Sequence, residues 1–373
     1  MEPAATPFRL QSIDGLRGIA IALVVIYHVW LVYGVDLGVV SRVGFLGVDL
    51  FFALSGFCLF YPYARARFGD GTAPTLKSYF AKRSLKIVPS YLLALAVFTI
   101  AYVHRDGANG ILASLAAHLT FLHPLFAQQF QSISGPLWTI GIEVQFYAIF
   151  PLLAGLFVAR PWLGALLAGG FANGFRAVLA AVHADTTFFW VNQLAAFLDV
   201  FAAGILAAYF VAWYRRRTWH PAAKHVPSIV ALAALATAAW GCTVLAQSPA
   251  MNDTGAFFAW QTQSRWFVAV LLFALVSATT LASPAILRVL ANPALTFLGI
   301  VSYNLYLWHL EVLAFGNQSG MPSWLAVAAA LAIAVAVTYA LERPILELPS
   351  RLRGRAGRPH SLPDGEVTDR RAA

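Results

Sequence analysis

The sequence predicts an all-α protein, a polytopic transmembrane helix bundle, on three observations. Hydrophobic residues fill 60% of the 373 positions and charged residues only 11%. Apolar segments long enough to cross a bilayer, which takes about 20 residues, recur along the whole chain. No connection between them exceeds about 20 residues. That is too short for a separately folded domain, so any chemistry must be built inside the bundle.

Eleven apolar segments lie near residues 13–33, 44–63, 85–104, 111–126, 137–158, 162–183, 188–213, 228–246, 266–282, 295–315 and 323–341. The first carries Asp14 and Arg17 and no small-residue cleavage site, so it is expected to stay attached. Gly47, Ser55 and Gly56 in the second are small residues of the kind that let membrane helices approach closely. The fourth is short, contains His118 and runs into His123, Pro124 and an uncharged loop. It reads as re-entrant or interfacial, which leaves about ten spans; the alternative is that it crosses and one of the next two segments does not, which keeps the same parity. Asn173 and Arg176 interrupt the sixth segment and Asp199 the seventh; a structural Arg176–Asp199 pair is the leading explanation, and exposure to a polar cavity, where they would contact a substrate, is the alternative. Residues 1–345 form one membrane domain in this reading, followed by a basic tail, 346–373, expected to be disordered.

Positive charge orients the bundle, because loops on the cytoplasmic side are enriched in Lys and Arg near span ends. One cluster comprises Arg65, Arg67, Lys77, Lys82, Arg83 and Lys86, a second Arg215, Arg216, Arg217 and Lys224, and a third Arg351, Arg353, Arg355 and Arg358. Ten spans place all three, and both termini, in the cytoplasm of a bacterial inner membrane. Contact with anionic inner-leaflet lipid accounts for the net charge of +9. No nucleic-acid partner is expected, since the charges are split among short loops without a binding motif. Cys58 and Cys242 both lie in apolar segments, which suggests neither a disulfide framework nor a metal site.

The first span holds the leading site. Arg17 and His28 are eleven residues apart, which on an α-helix returns to nearly the same face about 16 Å higher. Asp14 falls within about 60° of both, so one stripe carries three ionisable groups at membrane depth, where such groups usually face a polar interior. With the N-terminus inside, Arg17 lies near the inner leaflet and His28 in the outer half. Asp49, Glu143 and His309 reach the outer level on three other helices, so a shared polar cavity is expected, with Trp138 and Tyr303 beside it.

Taken together, these residues resemble the membrane-bound acyltransferase-3 family, which includes polysaccharide O-acetyltransferases and macrolide acyltransferases. The resemblance runs over most of the chain. It rests on Asp14-Gly-Leu-Arg-Gly18 with His28, Gly47-Val-Asp-Leu-Phe-Phe with Ser55-Gly56, and Lys82-Arg83 through Lys86-Ile-Val-Pro89 with Tyr91. It continues in Trp138 with Glu143, Phe146, Tyr147 and Pro151, then Ser302-Tyr303 with Tyr306-Leu307 and His309, and Glu342-Arg343-Pro344. Lys82 and Lys86 stand where family members commonly carry Arg, and lysine lacks the bidentate fork.

The resemblance implies transfer of an acyl group, usually acetyl, from acyl coenzyme A to a hydroxyl of a glycan or related acceptor, with no permanently bound cofactor. The residues suit that chemistry. Coenzyme A is a polyanion, and Arg17, Lys82, Arg83 and Lys86 offer a basic, inward-facing entrance. An attacking hydroxyl must lose its proton, which makes His28 the candidate base, with Glu143 expected to orient its imidazole. Direct transfer and transient acylation of His28 both remain open. A macrolide or other secondary metabolite is the alternative acceptor, and a proton-coupled or lipid-linked-sugar transporter is the rival of another class.

Overall fold

The computed structural model describes residues 10–182, 187–219 and 224–348. The His183 to Asp185 loop, the cluster Arg351 to Arg358 and residues 349–373 of the expected tail lie outside the described residues. Among the described residues ten helices are long and apolar enough to cross a membrane and there is no strand, so this is a multi-pass membrane protein. The spans begin with α1 (Gln11–Tyr33), α3 (Leu46–Arg67) and α4 (Leu76–Asp106). Next come α6 (Leu137–Ala159), α7 (Pro161–Val182) and α9 (Leu194–Arg215). The set closes with α10 (Val226–Gln247), α11 (Thr254–Leu281), α13 (Pro293–Gln318) and α14 (Ser323–Val337). Short helices α2 (Val39–Val43), α5 (Ile111–Leu119), α8 (Thr187–Val191) and α12 (Pro284–Leu290) join them. The last span continues through a π-helical turn, Thr338–Glu342, to Leu348.

The segment read as re-entrant does not span. Helix α5 has nine residues, about 13 Å of rise, against a hydrocarbon core of about 30 Å. It folds back through a 3₁₀ turn, His123–Leu125, that seats Pro124 against Gly141 at the start of α6. The His118 and His123 rings stack with centroids 4.0 Å apart and planes 5° apart. Each donates to a carbonyl, His118 Nδ1 to Ser114 (2.8 Å) and His123 Nε2 to Leu137 (2.9 Å). Burial pushes both imidazoles below their ordinary range, His123 to about 3, so near pH 7 both are neutral and can stack.

Four helices make the centre. Helix α1 packs against α13 and α3, and α3 packs against α9. Burial separates centre from rim: the apolar window of the α8–α9 span is 67% buried, those of α7 and α10 only 22%. Small residues allow the close crossings. A Cβ on Gly56 would collide with the Phe201 carbonyl, and one on Gly204 with the Ala53 carbonyl, so α3 and α9 interlock backbone to backbone. Phe201 then fills the centre, its ring 3.9 Å from that of Phe146 and 4.6 Å from that of Phe52.

Helix α7 is tied to α9 by the pair the sequence suggested. Arg176 Nη2 lies 2.5 Å from Asp199 Oδ2 and Nη1 3.1 Å from Oδ1, with further bonds from Arg176 to the Ala196 carbonyl and Asn173 Oδ1. Arg176 is fully buried, and its two terminal nitrogens are met by a bidentate carboxylate and two carbonyl oxygens while Nε has no hydrogen-bond partner, so the countercharge of Asp199 is what lets the guanidinium occupy a dry site.

Candidate active site

The centre of the bundle holds two chambers, one above the other. The outer is a cavity of about 420 Å³ lined by His28, Asp49, Trp138, Gln131, Asn192, Gln261 and Arg265 among others. The inner, about 40 Å³, is lined by Arg17, Ser55, Thr139, Glu143, Ser302 and Tyr303. Val48 and Tyr306 line both and form the partition between them. Arg17 and His28 thus occupy one helix face and open into successive chambers, as their spacing predicts.

In the outer chamber His28 pairs with His309 across α1 and α13. His309 Nε2 is 3.2 Å from His28 Nδ1, the rings 4.8 Å apart and steeply inclined. The protons can be placed by elimination. His309 Nδ1 faces the Tyr306 carbonyl at 2.7 Å and must donate, so its Nε2 carries the lone pair. His28 Nδ1 faces that lone pair and the Val24 carbonyl at 2.9 Å, both acceptors, so it holds the proton. His28 Nε2 is therefore left unprotonated, on a side chain that lines the cavity. A base in this tautomer is ready to take a proton, and the acceptors at Nδ1 stabilise the imidazolium that results.

Glu143 does not play the part expected of it beside His28. Its carboxylate lies in the inner chamber, where Oε1 accepts from Ser55 and, at 2.5 Å, from the Tyr147 hydroxyl. Glu143 thus faces Ser55 of α3, in the chamber that Arg17 lines and not in the one that His28 lines. His309 is the partner His28 has instead. Arg17 Nε approaches Ser302 Oγ at 3.5 Å, which orients the guanidinium across the inner chamber.

Among the other basic residues, Lys86 lies within electrostatic reach of both Arg17 and Arg83. Lys82 is exposed on the first turns of α4, and Arg83, half-buried, lies 5.9 Å from the centre of the Tyr147 ring. Lys86 is instead bonded to Glu342, whose second oxygen accepts from Asn304 at 2.9 Å. The π-helical turn, which often marks functional positions, aims Glu342 inward. Tyr303 lines the inner chamber and donates to the Ile87 carbonyl at 2.9 Å, with the Lys86 ammonium 5.5 Å from its ring centre. Trp138 lines the outer cavity as expected, stacked between Phe130 and Phe197. Asp14 lies nearly one turn below Arg17 and lines neither chamber.

Arg265 is the polar residue that hydropathy hides. Its Nε lies 3.3 Å from Asp49 Oδ1, Nη1 donates to the Val191 carbonyl at 3.0 Å, and Nη2 bonds to Gln261. The guanidinium also lies 4.1 Å from the centre of the Phe197 ring. Hydropathy starts the segment at 266, which makes Arg265 a flanking charge, whereas α11 begins at Thr254 and carries it well inside the helix. The signal in the sequence is Gln261 and Arg265 at i, i+4 on one helix face. Among the described residues, no group of three or more His, Cys, Asp or Glu is placed to hold a metal ion.

The fold is thus a membrane helix bundle with two adjoining polar chambers, one lined by His28 and the other by Arg17, and comparison with known proteins gives the class its name. The chain belongs to the acyltransferase-3 family, described as an acyltransferase domain, whose pattern matches residues 10–343. A Staphylococcus aureus (strain COL) protein that carries the provisional name of an O-acetyltransferase is 24% identical over 330 residues, covering 82% of this chain and 51% of the relative. The chain thus spans about half the length of the staphylococcal relatives it matches. Exopolysaccharide production protein ExoZ of Rhizobium meliloti (strain 1021) is 28% identical over 337 residues, 85% of this chain and 92% of ExoZ. A provisionally named acetyltransferase of Acidianus two-tailed virus is 28% identical over 344 residues, 91% of each. No solved structure matches the chain.

Proposed function

We propose that the protein is an O-acyltransferase that moves an acyl group, acetyl above all, from cytosolic acyl coenzyme A to a hydroxyl of a glycan. The observation that carries this reading is the stacking of the two chambers: Arg17 opens into the inner, and the unprotonated His28 Nε2 belongs to the outer. Coenzyme A phosphates engage Arg17, Arg83 and Lys82 from the cytoplasmic side, and Lys86 joins them by exchanging Glu342 for phosphate. The arm carries the thioester up to the partition at Val48 and Tyr306.

In direct transfer, the acceptor oxygen attacks the thioester carbonyl and gives its proton to His28 Nε2. The carbon–sulfur bond breaks, and the imidazolium returns the proton to the departing thiolate, leaving an ester and free coenzyme A. Similarity to ExoZ supports a polysaccharide acceptor over a macrolide.

Donor binding tests the reading. Arg17→Ala is expected to weaken acetyl coenzyme A by about 1.5 to 3 kcal/mol, the worth of a charge-assisted contact, with Lys at the position restoring only part. Isothermal titration on protein in lipid nanodiscs measures it, and unchanged affinity in Arg17→Ala removes the role. Orientation has its own check. In protein with Cys58 and Cys242 replaced by Ala, a cysteine at Asp70 should resist a membrane-impermeant thiol reagent in intact cells while one at Asn252 reacts. Labelling at position 70 from outside inverts the topology.

A further inference from the structure

A separate basic pocket lies at the end of the bundle where α3 and α9 finish, the end that the enrichment of Lys and Arg assigns to the cytoplasm. Its cavity of about 470 Å³ is lined by Tyr61, Arg65, Phe68, Asp70, Arg215 and Arg216 among others. None of these residues lines either chamber of the candidate active site. Tyr61 follows Ser55 by six residues on α3, a rotation of about 120°, so the pocket opens on a different side of that helix from the inner chamber.

Local structure holds the arginines in place. Helix α3 ends in a left-handed glycine turn, with Gly69 at φ 75° and the Asp70 N–H donating to the Arg65 carbonyl at 2.9 Å. The turn lays Asp70 against Arg65, whose Nε and Nη2 each donate to its carboxylate at 2.8 Å. These bonds, with the field of Arg216 assisting, hold the Asp70 carboxyl below its ordinary range, so it is ionised near pH 7. From the last turn of α9, Arg215 donates to the Tyr61 hydroxyl at 3.3 Å and to the Thr280 carbonyl of α11 at 3.2 Å. A Cβ on Gly69 would stand 3.4 Å from Arg216 Nη2, so Arg216 leans over the same turn. A merely solvated basic loop would splay its side chains into water, whereas bonds to Asp70, Tyr61 and Thr280 keep two of these guanidiniums at the wall of one cavity.

We propose that this pocket binds a phosphate group, carried by an anionic phospholipid of the adjoining leaflet or by a soluble phosphate ester, at a site separate from the donor entrance and independently of the acyltransferase reading.

Charge decides the sign of the ligand. Three guanidiniums against one carboxylate leave two positive charges, more than the combined partial charge of about −1 at the C-termini of α3 and α9. Planar guanidiniums match phosphate oxygens in pairs, which favours phosphate over a simple halide. Arg215 and Arg216 are exposed, so a ligand entering the cavity reaches them without displacing the core. The neighbouring aromatic rings mark headgroup depth. Tyr214 and Trp219 stack 4.4 Å apart, and the Arg217 guanidinium lies 4.5 Å from the centre of the Trp213 ring, a border of the kind found at membrane interfaces, where basic pockets between helices take lipid headgroups.

The test uses purified full-length protein in dodecyl maltoside micelles, titrated with phosphatidylglycerol and, separately, with inorganic phosphate, with phosphatidylcholine as the zwitterionic control. The unfolding temperature is expected to rise and saturate, because a ligand that binds only the folded state stabilises it by mass action. Saturation by phosphatidylglycerol alone assigns the phosphate to a lipid, and saturation by inorganic phosphate assigns it to a soluble ester. In either case Arg216→Gln, at an exposed position, should raise the half-saturating concentration about 10- to 100-fold, the loss of a charge-assisted hydrogen bond, and Arg216→Lys should restore part of it. Arg288→Gln removes an equal, exposed charge from α12 and should leave that concentration unchanged. Saturation by neither probe, equal saturation by phosphatidylcholine, no shift in Arg216→Gln, or an equal shift in Arg288→Gln overturns the proposal.

Discussion

Replacing His28 by Ala is expected to leave acetyl coenzyme A binding intact and to slow transfer by about 10² to 10⁴, the usual worth of a positioned general base. The hydrogen-bond geometry makes the expectation specific. The Nδ1 proton is committed to the Val24 carbonyl and His309 Nε2, so only Nε2 remains to accept the hydroxyl proton. His309→Ala should also slow transfer, because it removes the acceptor that supports the imidazolium. The His28→Ala/His309→Ala double variant should lose little beyond His28→Ala alone, since residues acting as one unit are not additive. Glu143→Gln should behave differently and multiply with His28→Ala, because Glu143 lies in the other chamber, bonded to Ser55 and Tyr147. Near-normal turnover by a folded His28→Ala protein would end this mechanism. Strong non-additivity between His28 and Glu143 would restore their direct pairing.

The largest effect on stability is expected at the tie between α7 and α9. Asp199→Ala leaves Arg176, which has no exposure, without its countercharge, and should cost about 3 to 5 kcal/mol. The two remaining carbonyl oxygens cannot offset the loss, because the bidentate bonds to Asp199 are gone. Replacing both partners with apolar residues, Arg176→Met with Asp199→Leu, should recover most of the deficit, since no charge is then left in a dry site. Reversible unfolding in mixed micelles measures both. A cost under about 1 kcal/mol for Asp199→Ala would show that water reaches Arg176, because only solvation substitutes for the missing carboxylate.

The Arg176–Asp199 pair is legible in the sequence because its two members interrupt consecutive apolar segments, where burial leaves a charge few alternatives to pairing. The same reasoning misjudges Glu143. Its depth along α6 follows from counting residues, but the direction it faces depends on how α6 is rotated against α3, and counting cannot supply that. Lys86 teaches the same point from the other side. Family resemblance implies a phosphate contact, whereas the π-helical turn near the end of the last span brings Glu342 onto it from 256 residues away.

What the sequence by itself determined is what is set locally along one helix: the apolar spans, about ten of them, and the common face of Arg17 and His28, whereas the failure of 111–126 to cross was decided by the structure. The spans and the common face follow from about 20 residues of hydropathy and a fixed helical repeat, so no information from elsewhere in the chain is required. Tertiary structure decided which polar groups meet. His309 reaches His28 across 281 residues of sequence, and Arg265 reaches Asp49 from a helix whose polar start resembles a loop. Those contacts depend on interhelical rotation, which close glycine crossings and the interlocked aromatic centre decide together, and no single segment encodes it.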